Sequence, residues 1–296
     1  MNWTPIDRNG YGSYFNILLV NSDKTLIKKV ATNDHAIYKL NCEKNFYKFI
    51  TDNRINFKIP KIIEYGDDYI IMEYINSGNS DNNRILHDLN NLHNSTYIEL
   101  CREDYIENIC IETKYKIISR NNEIKDYLDK YSYIEKVNNI NILSYEQILE
   151  NIDKVILGFI ENQREFKFHP IHGDCHHNNV LNDVYIDPRG YFGNHKIYGL
   201  KEYDIAKVYF SLSGYNIFDD MSIDSLDIQK NNITIDFIKD DLCIKDDIIK
   251  ALVVVIWLSN AHIFKNNINK MICSHFIGLY YGTIYLSDIN TSKSLK

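Results

Sequence analysis

The sequence predicts an α+β fold in two lobes: a small N-terminal antiparallel sheet with one helix over residues 1–75, and a larger, mostly helical C-terminal lobe over residues 76–296. Three observations predict it. Short β-rich runs alternate with turn clusters up to residue 75, a small polar linker (Asn76-Ser77-Gly78-Asn79-Ser80) follows, and beyond it apolar residues recur mostly at helical spacing. A chain of 296 residues also exceeds what one typical core supports.

Taken in order, residues 14–20 and 25–31 are short strand-like runs around Asn21-Ser22-Asp23-Lys24, a turn cluster, and read as a hairpin. Ahead of it, Gly10-Tyr11-Gly12-Ser13 sets two glycines where a backbone can approach a ligand closely. Ile37, Leu40, Phe46, Phe49 and Ile50 give residues 35–50 a helical rhythm. Past Pro60, residues 62–65, the turn Gly66-Asp67-Asp68 and residues 69–75 read as a second hairpin. In the second lobe Ile85, Leu86, Leu89 and Leu92 line one helix face, residues 145–166 and 246–264 form two more helices, and 275–286 closes the fold. Residues 170–187 interrupt the helices with a loop and a short strand pair.

The bulk properties exclude some classes. Hydrophobic content of 45% and charged content of 25% are ordinary for a globular chain. A net charge of −7 argues against a nucleic-acid partner and gives no reason to expect an anionic membrane surface. The acidic pairs at 219–220, 240–241 and 246–247 read as solvated surface, with a cationic substrate as the alternative. Six cysteines without a CxxC suit reduced thiols and a cytoplasmic protein. The N-terminus lacks the pattern of a secretion signal, and the most apolar run, residues 251–258, is far shorter than the roughly 18 residues that suggest membrane insertion.

The chemistry-bearing stretch is HGDCHHNNVL, residues 172–181, followed by VYIDPRG. It offers a carboxylate at Asp174, an amide at Asn179 and a second carboxylate at Asp187. Phosphoryl transfer needs such a set: a group that orients the attacking hydroxyl, and two oxygen ligands for magnesium on the phosphates. Gly173 lets the loop turn sharply and expose Asp174, and His172 is expected to bond loop backbone. A zinc reading of His172, Cys175, His176 and His177 is disfavoured, since adjacent residues of an extended segment point to opposite faces.

Upstream, Lys29 in LIKKVA would reach from a strand to the nucleotide phosphates, with Glu43 on the following helix as its partner. Strand alternation puts Lys28 and Lys29 on opposite faces; the reading favours Lys29, and Lys28 remains the competitor. Gly10, Gly12 and Ser13 would cover the phosphates, and the segment from Met72 through Glu73 to Ile75 would offer backbone to an adenine edge.

These residues resemble the aminoglycoside phosphotransferase and choline kinase superfamily, small-molecule relatives of protein kinases. The resemblance spans nearly the whole chain and rests on HGDCHHNNVL, on YIDPRG, and on YDIA at residues 203–206, with LNNLHN at residues 89–94 agreeing in order. It implies a bilobal protein-kinase-like fold with nucleotide between the lobes, Asp174 as catalytic base, Asn179 and Asp187 as magnesium ligands, and Asp204 as a brace of the catalytic loop. It also implies ATP or GTP as donor and a small-molecule hydroxyl as acceptor: sugars first, choline- or ethanolamine-type amino alcohols second, aminoglycosides third. His177 and Asn178 depart from the Pro and Gly usual in that family. The IDPRG ending resembles relatives from capsule and surface-polysaccharide loci. Gly173 where a protein kinase has arginine, with no DFG or APE, sets the chain apart from protein kinases. The competing reading is a nucleotide-binding pseudokinase that regulates a partner. Neither the acceptor nor the oligomeric state is legible, and residues 94–141 are expected to carry the variable acceptor-binding helices.

Overall fold

The structure, a computed structural model, describes residues 2–6, 15–78, 80–239 and 242–287. It divides into two compact units: residues 1–100 with 167–208, and residues 101–166 with 209–296.

The first unit opens with a five-stranded antiparallel sheet in the order β1-β2-β3-β5-β4, formed by β1 (Trp3–Pro5), β2 (Asn16–Asn21), β3 (Leu26–Ala31), β4 (Ile62–Tyr65) and β5 (Tyr69–Glu73). Both hairpins expected from the sequence are present; β1 has too short a run for period-2 patterning to reveal it. In the β2–β3 turn, Asn21 Oδ1 accepts the N–H groups of Thr25 and Leu26 at 3.0 and 2.9 Å, and Lys24 takes a φ of 55°. The side chain thereby supplies the acceptors that the tight turn needs.

Helix α1 (Asp34–Asp52) is capped by Asn33, whose side chain accepts the Ala36 N–H. Its buried face includes Ala36, Leu40, Glu43, Tyr47 and Ile50. A carboxylate at the centre of an apolar stripe is tolerated only with a partner, and β3 provides one. Helix α2 (Asn82–His93), capped by Asp81, packs against the strand Lys167–Pro170. That strand is central in a three-stranded sheet, between Tyr198–Gly199 and Ile98–Glu99. These pairings tie residues 167–208 to the first hundred, so the first unit extends past the composition change at residue 76.

The second unit is built on helices. Arg102–Cys110 runs through a wider turn at Ile111–Tyr115 into Lys116–Leu128, and Tyr145–Glu161 begins at a capping box of Ser144 and Gln147. That last helix stops five residues before the expected end at 166. Asn162 turns its side chain back onto the Gly158 carbonyl at 2.8 Å, and the chain then enters the strand Lys167–Pro170. Asp247–Ala261 and Ile268–Leu286 pack closely; a Cβ on Gly278 would lie 2.6 Å from Leu258. The closing helix thus starts seven residues earlier than its apolar pattern shows, because Asn267 caps it ahead of that run. The segment Asp247–Phe264 has the length and hydropathy to cross a membrane, yet 72% of it is buried in the structure, as in a core helix.

His275, in the middle of Ile268–Leu286, is buried and its Nδ1 meets no hydrogen-bond partner. Burial pushes its imidazole down to about 4. Unfolding therefore takes up a proton between about pH 4 and the ordinary histidine value of about 6.5, so this group's contribution is complete above that window and is lost as pH falls through it. Stability should fall by about 2 kcal/mol between pH 7.5 and 5 through His275 alone. Denaturant titrations of wild type and His275→Leu at both pH values check this: the variant should show the smaller fall, and equal falls would refute it.

Candidate active site

Strand β3 turns Lys28 and Lys29 to opposite sides. Lys28 places its ammonium 3.9 Å from the Tyr69 ring centroid. Lys29 points inward, 6% exposed, with Nζ 2.6 Å from Glu43 Oε2 and 2.7 Å from Asp187 Oδ1. One ammonium thus bridges the helix α1 carboxylate and the carboxylate that ends VYID. Burial opposes the charge on Lys29, but Asp187 and then Glu43 outweigh it and hold the ammonium protonated above the ordinary lysine range. Glu43 lies on the other side of the balance: burial raises its carboxyl despite Lys29, and Asp187 raises it further.

The loop of residues 172–179 and the segment of residues 186–189 are stitched together by backbone. His172 is fully buried and accepts the Asp174 N–H on Nδ1 at 3.3 Å, which leaves its Nε2–H to donate to the Ile186 carbonyl at 3.0 Å. Burial pushes its imidazole down, as that neutral tautomer requires. Ile186 N–H donates to the Asn179 carbonyl at 2.9 Å, and Arg189 N–H to the His172 carbonyl at 2.8 Å. Asp187 itself sits at a φ of 54°, its N–H directed at the Tyr47 hydroxyl at 3.2 Å. Left-handed backbone is uncommon for a non-glycine residue. The two flanking attachments, to Asn179 and to His172, fix the bend that turns Asp187 toward Lys29.

Asp204 holds the loop from below. It is fully buried, and its two oxygens accept the backbone N–H of His172 at 2.8 Å and of Gly173 at 2.6 Å, while His93 Nε2 lies 3.1 Å from Oδ2. Gly173 is at a φ of 79°, and a Cβ there would lie 2.9 Å from Arg189 Cβ, so the turn needs glycine. Asp174 then emerges with its side chain 36% exposed. Its burial would raise the carboxyl, but the Lys207 ammonium 2.8 Å from Oδ1, aided by His176, holds it well below the usual carboxylate range. Asn179 donates through Nδ2 to the Asp174 carbonyl at 2.9 Å and to Asp174 Oδ2 at 3.3 Å.

The structure brings Asp174, Asn179, Asp187, Lys29, Glu43, His172 and Asp204 into this network. Glu73 and Ile75 do not join it among the described residues. Glu73 accepts the Lys61 N–H on Oε2 at 3.3 Å, and the Tyr74 N–H pairs with the Thr25 carbonyl at 2.9 Å. Gly10, Gly12 and Ser13 lie outside the described residues. The histidines that invited a zinc reading have diverging partners: His177 meets the Asn82 side chain and His176 Nε2 meets Asn179 Nδ2 at 3.1 Å. Cys175 is 1% exposed, its thiol raised well above the ordinary range by burial, then by the Asp204 charge. Lys207 was not read from the sequence, and the signal was slight: a lysine three residues past the YDIA aspartate, on the same helix face. His93 stood inside LNNLHN with nothing to single it out.

As a magnesium site the donors fit. Asp187 supplies a carboxylate, and the Asn179 amide, anchored through Nδ2, turns its oxygen away from those bonds. Both are hard oxygen donors of the kind magnesium takes alongside phosphate oxygens.

No protein-family model and no curated protein matches the sequence. Solved structures do. The choline kinase of Cryptosporidium parvum superposes with a TM-score of 0.54 at 12% identity, covering 98% of this chain and 90% of that one. A fructosamine-3-kinase assigned in Thermobifida fusca gives 0.51 at 15% identity, over 95% and 94%. A thermostable mutant of aminoglycoside phosphotransferase APH(4)-Ia gives 0.50 at 10% identity, over 100% and 96%. The antiparallel N-terminal sheet with its helix, the helical remainder and these superpositions agree: the chain has the protein-kinase-like fold shared by the aminoglycoside phosphotransferase and choline kinase superfamily.

Proposed function

We propose that this chain is a magnesium-dependent phosphotransferase that moves the γ-phosphate of ATP to a hydroxyl of a small molecule. The observation that carries the reading is the stitching of residues 172–179 to 186–189, by backbone and the His172 ring, which ties the loop bearing Asp174 and Asn179 to the segment whose Asp187 carboxylate meets Lys29. Asn179 and Asp187 would hold the metal, which supplies charge neutralisation on the phosphates. Lys29, kept protonated, has the charge and direction to meet phosphate oxygens when it exchanges part of its carboxylate pairing for them. Asp174 accepts the hydrogen bond of the acceptor hydroxyl and aims it for in-line attack; its depressed basicity suits orientation more than early proton removal. The hydroxyl proton passes to Asp174 late, as the new O–P bond forms and the bond to ADP breaks.

In this reading residues 1–75 serve the nucleotide, with Gly10, Gly12 and Ser13 over the phosphates and the Glu73–Ile75 backbone at the base. Residues 76–296 carry the catalytic loop and the acceptor site. Sugars and sugar-like alcohols head the acceptor order, then choline- or ethanolamine-type amino alcohols, then aminoglycosides. The fold-sharing proteins named above carry names from all three chemistries, and they set the panel to screen.

The test is coupled ADP release over that panel with ATP and, separately, GTP, with and without magnesium. ATP-dependent turnover of at least one hydroxyl compound is expected, and Asp174→Ala should lower it by about 10²-fold or more. Loss of only a few-fold would remove Asp174 from its role. Nucleotide-induced thermal stabilisation that ignores magnesium, with no turnover, would favour a nucleotide-binding pseudokinase instead.

A further inference from the structure

We propose that Lys207 is the positioning residue of Asp174, its ammonium fixing the carboxylate that meets the acceptor hydroxyl. The inference rests on the phosphotransfer reading above. The helix Lys201–Phe210 sets Asp204 and Lys207 at i and i+3, neighbours on one face. Asp204 grips the loop by its backbone at His172 and Gly173, and one turn later Lys207 grips it by the Asp174 side chain. One rigid element therefore sets both where the loop runs and how its carboxylate is turned.

The contact is specific in geometry. Lys207 is 9% exposed, its Nζ stands 2.8 Å from Asp174 Oδ1, and its side chain passes over the Tyr203 ring with Nζ 5.9 Å from the centroid. A buried ammonium needs a well-placed counter-charge, and here Asp174 supplies it. The far oxygen, Oδ2, faces Asn179 Nδ2 at 3.3 Å and His176 Nε2 at 3.7 Å. The carboxylate is thus held from two sides before any acceptor arrives. Where the transition state is loose, alignment of the attacking oxygen counts for more than the strength of the base, and a misplacement of about 1 Å costs about 10²-fold. Loss of Lys207 should therefore appear in kcat and not in nucleotide affinity.

The experiment compares wild type, Lys207→Met, Lys207→Arg, Asp174→Asn and the Lys207→Met/Asp174→Asn pair, using the acceptor found in the panel or, failing one, water in the slow hydrolysis of MgATP. Lys207→Met should lower kcat by about 10²-fold with KM for ATP within about threefold of wild type, and Lys207→Arg should recover at least about tenfold of that loss. In the Asp174→Asn background Lys207→Met should change kcat by less than about threefold, because residues acting as a unit are not additive. Lys207→Gln replaces the methionine variant should circular dichroism show that one unfolded. Wild-type kcat in Lys207→Met, or in the Lys207→Gln that replaces it, overturns the proposal, as does a full second loss on top of Asp174→Asn. Wild type that releases no ADP with any acceptor or water is a different result: it ends the phosphotransfer reading, and the role of Lys207 with it.

Discussion

Asp204→Ala will destabilise the protein by about 3–5 kcal/mol, the largest stability effect expected of any single site substitution described above. The carboxylate is fully buried and accepts two backbone N–H groups at 2.8 and 2.6 Å, with His93 Nε2 at 3.1 Å. Alanine leaves those donors without acceptors where water cannot replace them, at about 1–3 kcal/mol for each buried unsatisfied group. Asn is expected to fall between the two, since it keeps one acceptor oxygen but turns an N–H₂ toward a second donor. Urea unfolding of the three proteins at neutral pH gives the measurement. A loss under about 1 kcal/mol for alanine would show that Asp204 does not bear on the loop as its distances indicate.

Asp187→Ala should have the opposite profile: turnover falls by about 10³-fold and magnesium no longer strengthens nucleotide binding, while folding stability barely changes. The difference follows from the Lys29 bridge. Asp187 and Glu43 share one ammonium, and the Asp187 charge raises the Glu43 carboxyl. Removing Asp187 leaves Lys29 and Glu43 as a one-to-one buried pair at 2.6 Å. Isothermal titration of nucleotide with and without magnesium, alongside denaturant curves, checks both halves. Undiminished magnesium dependence would exclude Asp187 as a ligand.

Much of this was readable in the residues because local signals and tertiary needs coincide. The Asn21-Ser22-Asp23-Lys24 turn and the Gly66-Asp67-Asp68 turn announced both hairpins, and the alternation of Lys28 and Lys29 forecast their opposite faces. Glu43 was expected as the partner of Lys29, but the sequence did not show that it would lie on the buried face of its helix, which the structure does. Contacts that join distant segments left weaker traces. Little in the spacing of KEYDIAKV says that Lys207 meets Asp174, 33 positions upstream by residue number. The strand Lys167–Pro170 was hidden because four residues between a helix and a loop show no period, and its pairing with Ile98–Glu99 and Tyr198–Gly199 is wholly non-local.

The shielded thiol of Cys175 has a practical consequence for chemical probes of this protein. Thiol-directed electrophiles attack accessible thiolates, and Cys175 is enclosed and protonated although it adjoins Asp174. Cys101 and Cys243, which lie open on the surface, will react first. Maleimide dyes or cross-linkers can therefore be attached at those two positions with the loop of residues 172–179 left chemically untouched.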